Sequence, residues 1–336
     1  MSARQPLIVS LGDMEPGQEA DFFALLAAKE SATTRDGKPY YKVTFRDARR
    51  EVSFPIWQDS AWAAECRDRW TPGVFYKLRA QYRETNYGPQ LEIRRIREVV
   101  DADAADGFDA AMCLPSSRFN PAEMYAELAA IARNEIRRPD LRGLVEAILV
   151  RHREALLRMP AARRHHHAYA AGLVEHTLSV TRTCLYLADK YAEYYRDLDP
   201  PLDRDLVVAG GILHDIGKLL ELQQQPTATL YTPAGELVGH VLLGRDMVRE
   251  AAREHPVDGD TLLRLEHVII SHQRLPEWGA PKPPMTPEAL LVHYADDLDA
   301  KYNMFYTILR DDGADGPFTS AQNILRQKVY RGQKSD

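Results

Sequence analysis

The sequence predicts a multidomain protein, an N-terminal all-β barrel followed by an all-α helical bundle. Three observations carry that expectation. The chain has 336 residues, more than one hydrophobic core usually organises. Its first hundred residues hold β-branched and aromatic runs separated by turn signals, the mark of short strands. From residue 120 onward the apolar positions recur with the period of a helix.

In order, strands are expected over residues 22 to 28, 40 to 47, 51 to 57, 74 to 82 and 90 to 99. The first, rich in alanine and leucine, has the least strand propensity. Asp36-Gly37, Pro72-Gly73 and Gly88-Pro89 punctuate the series, and residues 60 to 70 read as a short helix. Five strands with a helix between the third and fourth is the order of an OB-fold barrel. Such barrels bind single strands by stacking bases on aromatics beside cations. Tyr40, Tyr41, Phe45, Trp57, Tyr82 and Tyr87 are the candidate rings, with Lys42, Arg79 and Arg83 as cations. Alternation along a strand sends about half of such rings inward, so core packing competes with stacking at each. Arg83 and Tyr87, on a segment that reads as an exposed hairpin tip, are the substrate-binding candidates.

Residues 101 to 119 are rich in Asp and Ala and read as a linker. Asn120 before Pro121 is a cap followed by a first-turn proline, and Met124, Leu128, Ile131 and Ile136 lie toward one side of the helix it opens. A second helix is expected over 141 to 159. Helices then continue to residue 310, apart from a small hairpin at 230 to 236. The expected domains are a barrel over 1 to 100, a helical domain over 120 to 325, and a frayed tail over 326 to 336.

Cys66, Cys113 and Cys184 are far apart and form no CxxC pair, which argues against a disulfide framework or a thiolate zinc site and for a reducing cytoplasm. No stretch approaches the roughly 18 apolar residues of a membrane span, and no export signal is evident. A soluble protein without a membrane partner is expected. The net charge of −6 is uneven, since residues 1 to 100 hold 16 Lys and Arg against 14 Asp and Glu. The acidic excess falls at 101 to 109 and among carboxylates that a cation would offset, so charge does not exclude a nucleic-acid partner.

The chemistry lies in a series of separated motifs: His176 in GLVEHT, His214-Asp215 in HDIGK, His240 after Gly239, His272 in SH, and Asp296 in ADDLDAK. Imidazoles mixed with carboxylates suit Mn²⁺, Fe²⁺, Zn²⁺ or Mg²⁺ and leave positions open for water and substrate. The apolar run from 206 to 220 reads as a buried helix, which places Lys218 four residues after His214 and three after Asp215. A lone His-Asp dipeptide is also what a satisfied core histidine beside an aspartate looks like. On the last long helix His293, Asp296 and Asp299 share a face, and spacing alone does not choose among them. His267 is read equally as a ligand or as a buried hydrogen-bonding group.

The stretches HHHAYAAGLVEHTLSV, HDIGK, LYTPAGELVGHVLLG, LEHVIISHQRLPEWGAPKPP and EALLVHYADDLDAK resemble, in that order, the HD-domain phosphohydrolases and, within them, the bacterial 3′-to-5′ exoribonucleases of the YhaM type. The resemblance covers nearly the whole chain. It implies an OB-fold domain ahead of an HD domain, and one or two divalent ions, Mn²⁺ first, with Mg²⁺, Fe²⁺ or Zn²⁺ as alternatives. His176, His214, Asp215 and Asp296 would hold one ion, with Asp299 orienting a ligand histidine. His240 and His272, with or without His267, would complete a second position. Lys218 and Asp215 would be the catalytic residues, Lys218 offsetting charge on the phosphoryl oxygens.

His166 and His167 would contact substrate phosphate. Trp278 and Lys282, in the proline-rich loop 273 to 287, would line the channel. The implied partner is single-stranded RNA or DNA, the products nucleoside 5′-monophosphates, and a homo-oligomer stays open. Two departures stand out. Gln273-Arg274 replaces the family's second histidine and glycine, which puts the second ion in doubt, and Ala171 replaces a second glycine. The competing readings are a phosphohydrolase of small nucleotides or cyclic dinucleotides, for which a barrel has little use, and a nucleic-acid-binding protein with a degenerate HD site, which Gln273 alone supports.

Overall fold

The computed structural model describes residues 8–34, 36–85, 88–163, 166–225, 228–314 and 316–333. Two compact units divide the chain, Met1–Ser116 with Gln225–Ala228 and Ser117–Gln224 with Thr229–Asp336.

The first unit is a five-stranded antiparallel barrel: β1 (Glu19–Thr33), β2 (Pro39–Arg46), β3 (Glu51–Trp57), helix α1 (Ala63–Arg69), β4 (Phe75–Thr85) and β5 (Gly88–Glu98). The strand order is β3-β2-β1-β4-β5, and β3 comes round against β5. This is the expected OB arrangement. β1 is more than twice its expected length, because its first half pairs with β4 and its second half, from Leu25 on and through a bulge at Leu26/Ala28, pairs with β2. Pairing on both sides overrides its modest strand propensity. Phe45 lies edge-on to Trp70 and Tyr76 in the core, with ring centroids 5.9 and 6.0 Å away. All three rings are buried, and Phe45→Ala would cost about 3–5 kcal/mol. Lys29 Nζ donates to the carbonyls of Cys66, Arg67 and Trp70 and so closes the end of α1.

The expected linker is partly barrel. Phe108 packs against Phe23 and Phe75 at 5.1 and 5.4 Å between centroids, and Cys113 is fully buried beside Phe23 and Leu25. Asp103, also buried, accepts from both terminal nitrogens of Arg97 and from Lys77. The few apolar residues of an Asp/Ala-rich stretch are the ones that anchor it.

The second unit is helical: α2 (Pro121–Glu135), α3 (Pro139–Arg151), α4 (Arg153–Leu156), α5 (Gly172–Tyr194), α6 (Arg204–Leu213), α7 (Lys218–Glu221), α8 (Pro233–Leu237), α9 (His240–Glu254), α10 (Gly259–Ser271) and α11 (Pro287–Asp311). Asn120 caps α2 as expected, its side chain accepting from the N–H groups of Ala122 and Glu123. The helix expected over 141 to 159 breaks at His152. The apolar run from 206 to 220 is not one helix, since α6 stops at Leu213 and a turn through Gly217 leads into α7. Close approach explains the glycine: a Cβ at Gly217 would stand 2.0 Å from the His240 carbonyl oxygen and 2.4 Å from the Gly244 nitrogen.

The small hairpin lies earlier than expected. It pairs β6 (Leu222–Gln224) with β7 (Thr229–Tyr231). Residues 233 to 237 form α8, with Thr232 as cap and Pro233 in its first turn. The tail is partly tied down, as Phe318 bridges to Tyr330 and Val329 is buried.

Candidate metal centre

Five separate segments of the helical unit deliver side chains to one buried cluster. His176 comes from the first half of α5, His214 and Asp215 from the turn after α6, His240 from the first residue of α9, His272 from the end of α10, and Asp296 from α11. The four imidazoles form a row in the order 176, 214, 272, 240, with ring centroids 5.3, 5.1 and 5.5 Å apart. Asp215 lies in the middle. Its Oδ2 is 3.3 Å from His176 Nε2 and 3.5 Å from His214 Nε2, while its Oδ1 is 3.5 Å from His240 Nε2 and 3.4 Å from His272 Nε2. Asp296 Oδ1 adds a second carboxylate 3.2 Å from His176 Nε2.

The other nitrogen of each ring is occupied, which fixes the tautomer that turns Nε2 inward. His214 Nδ1 lies 2.9 Å from the Gly211 carbonyl, and His272 Nδ1 lies 2.7 Å from that of Ile269. His176 Nδ1 is 2.7 Å from Asp299 Oδ2, and His240 Nδ1 is 2.9 Å from Glu221 Oε1. Gly239 precedes this last ring at φ +78° with nothing within 4 Å of where a Cβ would stand, so its glycine serves a backbone conformation.

Buried charges in the cluster shift its titratable groups strongly. Burial alone would raise the Asp215 carboxyl, but Lys218, with Nζ 2.6 Å from Oδ2, and His214 outweigh burial and hold it well below the usual carboxylate range. Burial opposes protonation of His176, yet Asp215, Asp296 and Asp299 drive it well above the ordinary imidazole range. Despite these neighbours, both oxygens of Asp215 and Nε2 of His240 are buried without a hydrogen bond of acceptable geometry. Such orphaned atoms are costly unless another group satisfies them. A divalent ion on each side of Asp215 fits the donor set of nitrogens and oxygens.

The remaining expected site residues divide. His166 stands at the row's end, its ring 5.4 Å from that of His176, and burial, then the charges of Lys218 and His176, push its pKa down to about 3. His167 is not free for phosphate, because its ring nitrogens lie 2.8 Å from the Tyr169 hydroxyl and 2.9 Å from Asp299 Oδ2. His267 is turned away from the row. Five residues before His272 on a helix is a rotation of about 140° off its face, and His267 Nε2 instead accepts from the Met285 N–H at 2.9 Å. Trp278 and Lys282 are exposed on the loop after α10, with no hydrogen bond or ion pair to the cluster among the described residues. Arg83 is exposed but paired with Glu92 at 3.1 Å, and Tyr87 lies outside the described residues. Glu221, which accepts both the backbone N–H and Nδ1 of His240, was missed. Its place three residues after Lys218, beside two leucines, was the available signal.

The 3′-5′ exoribonuclease YhaM of Listeria monocytogenes serotype 4b is 33% identical to this chain over 300 residues, 89% of the chain and 90% of that protein. YhaM of Listeria innocua serovar 6a matches with the same identity and coverage. The chain belongs to the YhaM 3′-5′ exoribonuclease family. As in a YhaM-type hydrolytic nuclease, an HD domain is present, matched over residues 173–301. That span includes the whole histidine row and leaves His166 and His167 outside. The second OB-fold domain of replication protein A from Methanococcus maripaludis is 12% identical, with a TM-score of 0.22, covering 28% of this chain and 95% of that one. The OB assignment of the barrel rests on its own strand order.

Proposed function

We propose that this YhaM-family exonuclease removes nucleotides one at a time from the 3′ end of single-stranded RNA, and of single-stranded DNA as a second substrate, in the cytoplasm, releasing nucleoside 5′-monophosphates. The observation that carries the reading is Asp215, whose two oxygens each face a separate pair of imidazoles. His176, His214, Asp215 and Asp296 would hold one ion, and Asp215, His240 and His272 a second, with Mn²⁺ preferred over Mg²⁺, Fe²⁺ or Zn²⁺. Bound divalent ions supply Lewis acidity toward the phosphodiester and activation of water. Lys218 balances the buried Asp215 and adds positive charge where phosphoryl oxygens gain negative charge. His166, which makes no hydrogen bond among the described residues, offers a ring nitrogen to the phosphate.

In the barrel, a pair of rings supports single-strand binding. Tyr40 and Trp57 are cross-strand neighbours with centroids 5.1 Å apart, and Trp57 is 44% exposed. Lys42 is exposed on the same strand as Tyr40 and forms no ion pair among the described residues. By contrast Phe45 and Tyr82 are buried, and Arg79 and Arg83 are neutralised by Glu19 and Glu92.

The test follows a 5′-labelled RNA with Mn²⁺ for wild type and His214→Ala. Wild type should shorten it stepwise from the 3′ end. The variant should release no mononucleotide while keeping its helical circular dichroism and its single-strand affinity. Unchanged turnover in the variant would eliminate this centre as the site of hydrolysis.

A further inference from the structure

Outside the histidine row, two exposed side chains meet. The Arg163 guanidinium lies over the Tyr231 ring, with Cζ 5.8 Å from its centroid. Both residues are exposed, and Arg163 forms no ion pair among the described residues. Their chain neighbours fix where they stand. Arg163 lies two residues after Ala161, whose N–H donates to the His167 carbonyl, and His166, beside His167, stands against His176. Tyr231 pairs with Leu222, the residue after Glu221, and Thr232 donates its backbone N–H to the Glu221 carbonyl. Glu221 in turn supports His240. His176 and His240 are the two ends of the imidazole row, so the Arg163–Tyr231 contact joins two arms rooted at opposite ends of the centre.

We propose that Arg163 and Tyr231 together grip the 3′-terminal nucleotide, Tyr231 by stacking on its base and Arg163 by binding a backbone phosphate. An exposed cation–π contact is weak and is readily exchanged for a base on the ring and a phosphate on the guanidinium, which binds such oxygens through its fork of donors. Because every base has a π face, the grip is indifferent to sequence but requires a base. It also requires an unpaired end, since a base held in a duplex stack does not present its face. The inference rests on the exonuclease reading and adds to it the residues that select the end.

The experiment compares an RNA ending in an ordinary nucleotide with the same RNA ending in an abasic ribose, under Mn²⁺. Wild type should lose about tenfold in kcat/KM on the abasic end, mostly through KM. Tyr231→Ala should show that lowered value on both substrates, and Tyr231→Phe should retain the wild-type preference. Arg163→Ala should raise KM on both substrates alike and reduce its salt dependence, as loss of a phosphate contact does. A Tyr231→Ala protein that still prefers the ordinary end tenfold, or a wild type with no preference, overturns the grip. A wild type that releases no mononucleotide from either RNA overturns the exonuclease reading beneath it.

Discussion

Asp299 orients His176. Its Oδ2 accepts from His176 Nδ1 at 2.7 Å and also lies 2.9 Å from His167 Nε2, while Ser179 donates its hydroxyl to the other oxygen. Burial alone would raise this carboxyl, but the bonds from His167 and His176 hold it well below the usual range, so it stays an anionic acceptor. Asp299→Asn keeps the shape and weakens the charge-assisted bond. Mn²⁺ binding should then weaken by about 10- to 100-fold, read by calorimetry, with the helical signal unchanged. Wild-type affinity in this variant would mean that His176 needs no carboxylate to turn its ring.

Much of the barrel was legible because its strands depend on local signals, whereas the ligand set of the centre, spread over five segments, was implied by the resemblance and not by spacing. The β-branched and aromatic residues ahead of Trp57 announce a strand whatever surrounds them, while Gly88-Pro89, expected as a turn, opens β5 and pairs with Thr85 and Glu84. Illegible features depend on partners distant in sequence. The break between α6 and α7 exists because α9 needs room at Gly217, and nothing within HDIGK states where α9 will lie. His267 failed as a metal candidate for a local reason that helical rotation from His272 reveals. Phe108 and Cys113 return to the barrel across a segment whose average composition hides them.

Ala171 occupies the left-handed region at φ +60° and is 2% exposed at the start of α5. An L residue there costs about 1–2 kcal/mol, whereas glycine sits in that region freely but has more unfolded-state entropy to lose. Ala171→Gly should therefore stabilise the helical unit by a net of about 0.5 kcal/mol, seen as a higher denaturant midpoint at constant m-value. A lowered midpoint, corresponding to a loss of about 1 kcal/mol, the usual cost of glycine in a helix, would contradict the strain.

The exposed pair in the barrel separates binding from chemistry. Trp57→Ala removes a platform worth about 1–3 kcal/mol of stacking and should weaken anisotropy-measured binding of a long single strand accordingly. Hydrolysis of a dinucleotide should hardly change. Arg83→Ala should have a smaller effect on binding, because Glu92 already neutralises that cation. Equal losses on both substrates for Trp57→Ala would make the pair structural.

Gln273 places its side-chain nitrogen 3.1 Å from His272 Nε2, the nitrogen that faces Asp215. His272 Nδ1 is committed to the Ile269 carbonyl, so the Nε2 lone pair is what the Gln273 amide N–H meets. An ion on the His240 side of Asp215 must therefore compete with that donor, and the amide replaces it with a poor ligand. Gln273→His exchanges the donor for a second imidazole, which binds such ions far better than an amide. Half-maximal activity should then need on the order of tenfold less free Mn²⁺, and calorimetry should show the second equivalent binding more tightly while the first is unchanged. Superimposable Mn²⁺ titrations for the two proteins would show that the amide leaves the second position undisturbed.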